Sequence, residues 1–190
     1  MISARTPLLV AAALAATLIL GSCAGTATTD AAGSSDAAAF NDADVTFAQM
    51  MIPHHEQAVE MSDDLLAKDD IDPAVVTLAT EIKDAQAPEI TQLKDWLTDW
   101  NADENSMSGM GDVSDGMMTA EDMTALRDAS GSEAGVLFLE QMTAHHEGAV
   151  AMAQIEVDNG SNSDAQALAE NIVATQTAEI AVMADLLAAR

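Results

Sequence analysis

Between Asp42 and Lys68 the chain alternates polar and apolar positions at helical spacing. Phe47, Met50/Met51, Ala58, Met61 and Leu65, with His54 among them, stand at i, i+3/i+4, i+11, i+14 and i+18, with the histidine at i+7. That is one face of a helix, and it predicts an element from about Asp42 to Lys68. The run Asp69-Asp70-Ile71-Asp72-Pro73 ends it, and Asp72 before Pro73 supplies an N-cap and an N1 proline for a second helix. This one runs from about Pro73 to Trp100 and carries Ile82, Gln86, Glu89, Leu93, Trp96 and Trp100 on one stripe. Thr119 opens a short helix through about Ala129, and two long helices follow, at about 132–159 and 163–189.

The pattern is written twice. Residues 47–61, FAQMMIPHHEQAVEM, return as residues 138–152, FLEQMTAHHEGAVAM, at an offset of 91. Ile82, Gln86, Glu89 and Ile90 return as Ile172, Gln176, Glu179 and Ile180 at an offset of 90. Two amphipathic hairpins, 40–100 and 132–190, predict an all-α domain over 40–190, an antiparallel four-helix bundle built from repeated halves. The linker 101–131 begins with NADENSMSGMGDVSDGMM, rich in Gly, Ser, Asp and Met, and reads as a partly mobile crossover. Pro53 and Pro88 stand inside the first hairpin's helices where the second has Ala144 and Ala178. A proline removes a helical hydrogen bond, so distortion is expected in the first hairpin only.

The first 39 residues follow a different rule. Arg5 precedes an apolar run, Leu8 to Leu20, that falls short of the roughly 20 residues a membrane-spanning helix needs and suits a signal peptide over 1–22. The run ends in Leu20-Gly21-Ser22-Cys23, and Cys23 is the single cysteine of the chain. The arrangement resembles a bacterial lipobox, with Cys23 acylated and residues 23–39 a flexible tether outside the cytoplasmic membrane. A lone thiol also rules out an internal disulfide.

Composition sharpens this picture in two places. Aromatic residues make up 3% and tyrosine is absent, which favours helix over strand. Six Lys and Arg against 32 Asp and Glu give a net charge of −26, which argues against nucleic acid and anionic lipid headgroups as partners and concentrates cations near the surface.

All four histidines lie in the two repeated segments, as His54-His55 and His145-His146. Met51 and Met142 stand three residues before the first histidine of each pair, and Met61 and Met152 seven after it. Imidazole nitrogen with thioether sulfur suits a soft or borderline metal, Cu(I) above all. Ferritin-like di-iron sites need Glu-x-x-His on two helices, and methionine occupies that glutamate position in both copies. Gln86, Glu89, Gln176 and Glu179 are polar residues on apolar stripes and need buried partners, for which the histidines are the candidates. Glu56 and Glu147 are expected to face solvent. Met107, Met110, Met117 and Met118 sit in the polar linker, where exposed thioethers read either as a soft-metal capture arm or as oxidation-prone residues. The competing reading makes the methionines core and the histidines register-setting hydrogen-bonders.

The pattern Asp44-x-x-Phe47-x-x-x-Met51-x-x-His54-His55-x-x-Ala58-x-x-Met61, its copy ending in His145-His146-x-x-Ala149-x-x-Met152, and two Gln-x-x-Glu-Ile segments resemble the bacterial "domain of unknown function 305" family. The resemblance covers residues 40–190 and implies a ferritin-like bundle, a secreted or membrane-anchored location and, from some members, copper binding and tolerance. It implies His54, His55, His145, His146 and the neighbouring methionines as ligands. The second copy departs from the pattern at Gly135, the counterpart of Asp44.

Three functions are therefore in view: an extracytoplasmic, lipid-anchored protein that buffers or chaperones Cu(I), Ag(I) or another transition metal; a structural or partner-binding helical module; and a ferritin-like redox enzyme. The domain has no cysteine nucleophile, no Gly-x-Ser-x-Gly elbow and no phosphate-binding glycine loop, so binding is expected rather than turnover.

Overall fold

The computed structural model describes residues 39–104 and 116–190. The expected signal peptide, Cys23 and its tether, and Met107 and Met110 of the linker, lie outside the described residues. Those described form five helices: α1 (Asp42–Leu66), α2 (Pro73–Asp99), α3 (Ala120–Asp128), α4 (Gly131–Asn159) and α5 (Ser163–Ala188).

Side chains close most of the helix starts. The Asn41 carbonyl oxygen accepts from the Ala43 and Asp44 amides at 2.7 and 3.2 Å, while the Asp44 carboxylate accepts from the Asn41 amide at 2.6 Å. Asp72 accepts from the Ala74 amide at 2.8 Å, directly before Pro73. Thr119 and Asp122 form a reciprocal capping box on α3, and Asn162 accepts from Asp164 and Ala165 at the start of α5. Each cap is worth about 1 kcal/mol because it satisfies amides that the helix itself cannot.

Packing runs α2 to α1 to α4 to α5, with α3 laid across α1 and α4. The bundle is antiparallel, and its interior divides into two apolar clusters, each drawing on all four long helices. One holds Met61, Leu65, Leu78, Ile82, Phe138, Met142 and Met183. The other holds Phe47, Met51, Ile52, Leu93, Leu97, Met152, Leu168 and Ile172. Trp96 and Trp100 stack at 5.8 Å on the flank of the second, and Phe40 stacks on Trp100 at 5.1 Å. No described helix is long and apolar enough to cross a membrane.

Pro53 and Pro88 do not interrupt their helices, which stay helical from end to end. Both prolines are exposed, on the sides of their helices away from the core.

Candidate metal centre

The middle of the α1–α4 seam, between the two apolar clusters, is built from imidazoles. His54 and His145 meet across it with ring centroids 3.7 Å apart and an interplanar angle of 39°. His145 and His146 rings lie 6.4 Å apart. All four histidines are buried. Both members of each pair reach the interior because α1 is covered on two sides, by α2 and by α4, and α4 likewise by α1 and α5.

His55 and His146 each have a carboxylate behind them. His55 Nε2 lies 2.8 Å from Glu89 Oε2 on α2, and His146 Nε2 lies 2.7 Å from Glu179 Oε2 on α5. A carboxylate on Nε2 holds the proton there and fixes the tautomer, which leaves Nδ1 as the lone-pair nitrogen. Nδ1 of both rings is buried and makes no hydrogen bond. Burial holds the His145 imidazole well below the usual histidine range, and the neighbouring His54, His146 and His55 rings add to the effect; a contact with the His54 backbone opposes it. His145 is therefore neutral at neutral pH, the form that binds metal.

The methionines divide by distance along the helices. Met51 and Met142 are one turn from the histidine pair, and both are buried. Met61 and Met152 are about two turns away, roughly 10 Å along the axis, and are packed in the separate apolar clusters. Gln86 and Gln176 are buried on α2 and α5, and their Oε1 atoms have no hydrogen-bond partner. Glu56 and Glu147 are exposed, Glu56 in an ion pair with Lys94 at 2.6 Å. Among the described residues, no group of three or more His, Cys, Asp or Glu side chains is arranged to hold a metal ion. That holds for the four histidines as well: the seam brings His54 and His145 into ring contact without gathering all four imidazoles around one point. Neutral imidazoles with thioethers one turn away form a donor set that fits a soft ion.

The end of the Met-rich linker crosses this seam. Gln57 on α1 accepts from the Met118 amide at 2.6 Å and donates to the Met118 carbonyl at 2.9 Å. Gly116, at φ +84°, lies against the α4 backbone, where an added Cβ would sit 2.7 Å from the Ala144 carbonyl oxygen and 3.0 Å from that of His145. Gly148, the counterpart of Gln57, makes room for this approach.

Sequence reasoning passed over one buried polar cluster. Asp44 and Glu156 are both buried where the start of α1 meets the end of α4. Glu156 follows Ala149 and Met152 at seven and four residues on the buried stripe of α4, a signal that was available. At the opposite end of the bundle, the Arg190 guanidinium lies 3.2 Å from where Gly135 would carry a side chain.

The profile of the family described as Domain of unknown function (DUF305) matches residues 44–187. Among solved structures, a DUF305 protein of Streptomyces coelicolor assigned as secreted is 38% identical, with a TM-score of 0.72 over 77% of this chain and 91% of its own. A DUF305 fragment from Deinococcus radiodurans is 28% identical, with a TM-score of 0.71 over 79% and 98%. CopM in its Cu(I)-bound form is 30% identical, with a TM-score of 0.63 over 75% and 94%, and CopM has also been solved with Cu(II) and with Ag bound. No curated protein matches the chain.

Proposed function

This chain belongs to the DUF305 family, and on that footing we propose that it binds Cu(I) or Ag(I) as cargo at one centre shared by its two hairpins. His54, His55, His145 and His146 are the nitrogen donors, and Met51 and Met142 the thioethers. Glu89 and Glu179 hold the Nε2 side of His55 and His146, which leaves Nδ1 of each as the nitrogen that would serve a metal. Met61 and Met152 belong to the core. The single observation that carries this reading is the 3.7 Å contact of His54 with His145 across the α1–α4 seam, which brings the two copies of one motif to one point. The metals bound by CopM, at 28–30% identity, support the choice of ion.

The place of action follows from the other end of the chain. An apolar run ending in Leu20-Gly21-Ser22-Cys23 and a relative assigned as secreted support export, with Cys23 as the lipid anchor on the outer side of the membrane. There the protein buffers or hands on the metal without turning anything over; Met117 and Met118, expected as exposed linker thioethers, are partly buried, and Met118 packs against the apolar cluster of Met61 and Leu65.

One observation favours the structural reading instead: the His55–Glu89 and His146–Glu179 bonds are complete without metal. Anaerobic Cu(I) titration against a chromogenic competitor separates the two. Loss of tight binding in both His54/His55→Ala and His145/His146→Ala establishes one shared centre, and loss of part of the capacity in each establishes two. Equal binding by both variants and the parent protein leaves the histidines as core hydrogen-bonders.

A further inference from the structure

Asp44 and Glu156 are two carboxyl groups buried in one place, and no Lys or Arg among the described residues pairs with either. Asp44 is well supplied with donors: the Asn41 amide at 2.6 Å, the Asn162 amide at 2.9 Å, and the Ser161 amide at 3.1 and 3.2 Å to its two oxygens. Glu156 is not. No N–H among the described residues reaches its oxygens, and the polar group that faces them is the Asp44 carboxyl. Its side chain is folded back onto its own helix end, so that Gly160 has no room for a Cβ beside it. Two adjacent buried carboxylates cannot both be ionised, and the one holding the amides keeps the charge.

We propose that Asp44 and Glu156 share a proton as a latch, which ties the start of α1 to the α4–α5 corner and lets go when Glu156 ionises. The latch bridges residues more than a hundred positions apart, because Asp44 caps α1 and at the same time binds the corner amides of Ser161 and Asn162. Burial first, then the hydrogen bond and charge of Asp44, push Glu156 up to about 8. Burial alone raises Asp44, but the amides of Asn162, Asn41 and Ser161 and the Glu156 hydrogen bond outweigh it and hold Asp44 below the usual range.

The surroundings offer Glu156 no relief. From α1, Asp42 lines the same cavity; α4 adds Asp158, which accepts from Gln154; the first turn of α5 adds Asp164. The corner itself, residues 159–162, is uncharged. The cavity, of about 320 Å³, is bounded by Asp42, Thr46, Phe47, Met152, Ile155 and Glu156. It reaches the surface at the exposed Asp42 and Ile155.

The sign follows from linkage. Glu156 is raised above its ordinary value of 4.5, so its contribution to stability is full below that value and declines as pH rises through about 8. Carboxyl carbon NMR of the full-length protein, in chelator and followed from pH 5 to 9.5, tests this. The expected result is a Glu156 midpoint near 8, with amide protection factors at Ser161 and Asn162 falling over the same range. Glu156→Gln keeps the donor without the charge and is expected to hold that protection flat. Asp44→Asn is expected to move the Glu156 midpoint down, and it serves if the glutamine variant does not fold. A Glu156 midpoint below 6, or a midpoint near 8 with unchanged protection at the corner, overturns the latch. A midpoint displaced by added Ca²⁺ or Mg²⁺ also overturns it, because the site then holds a cation in place of the proton.

Discussion

At the scale of single residues, ligand and packing roles separate by substitution. Met51 and Met142 are buried, as Met61 is, and a methionine-to-leucine change keeps the volume, costing less than about 1.5 kcal/mol. Met51→Leu and Met142→Leu are expected to weaken Cu(I) binding while thermal unfolding stays within a few degrees of the parent; Met61→Leu is expected to leave both unchanged. Competitor titration beside calorimetry reads the two effects independently. Glu89 and Glu179 act through the imidazoles they hold. Glu89→Gln or Glu179→Gln is expected to lower affinity by about 10- to 100-fold without changing stoichiometry. The same titration checks this, since a packing role alone leaves the affinity where it was.

At the scale of elements, most of the bundle was legible in the sequence. Helical spacing over Phe47 to Leu65 and the Asp72-Pro73 start place α1 and α2 within two residues of their observed ends, because a stripe that must be buried leaves little freedom of register. The histidine partners of Glu89 and Glu179 were legible too, whereas the same expectation fails for Gln86 and Gln176, whose buried Oε1 atoms have no hydrogen-bond partner. Three features were not. That His54 meets His145 depends on how the hairpins face each other, which a pattern within one helix does not encode. The Asp44–Glu156 pair needs the same long-range knowledge. The passage of Gly116 over α4 depends on a loop, where no periodicity guides the reading. Glycine substitutions test that passage. Gly116→Ala faces both a positive φ and the Ala144 carbonyl oxygen, and is expected to cost about 1–3 kcal/mol, a fall of several degrees in Tm. Gly135→Ala meets only the far end of the flexible Arg190 side chain. It relieves a glycine inside a helix, and is expected to be neutral or to gain up to about 1 kcal/mol. Differential scanning calorimetry of the pair decides between them.

At the scale of the whole molecule, charge is unevenly shared. The basic side chains of the described residues are Lys68, Lys83, Lys94 and Arg127, spread over the first hairpin and α3, and Arg190 at the end of the chain. Lys83 pairs with Asp63, Lys94 with Glu56 and Glu104, and Arg127 with Glu60. These pairs are exposed and each is worth at most about 1 kcal/mol, far too little to offset the self-repulsion of a chain at −26. Raising NaCl from 0.05 to about 0.5 M shortens the Debye length from roughly 14 to 4 Å, and Tm is expected to rise. A fall in Tm on adding salt, measured in the same buffer, contradicts this account.

The meeting of His54 and His145 across the α1–α4 seam also bears on what the two repeats are free to become. A duplicated motif resembles a spare, yet under the shared-centre proposal neither copy could stand in for the other, because a lesion in either would remove half of the same centre. The repeats would then be bound to agree near that contact and be at liberty to differ away from it. His54-His55 and His145-His146 are identical, as are Met51 and Met142. At the bundle ends Asp44 faces Gly135 as its counterpart, Leu65 faces Glu156, and on the linker side Gln57 faces Gly148. Those three divergences supply the carboxyl latch and the seat for Gly116: Asp44 and Gln57 are parts that the first half alone has, Glu156 and Gly148 parts that the second alone has.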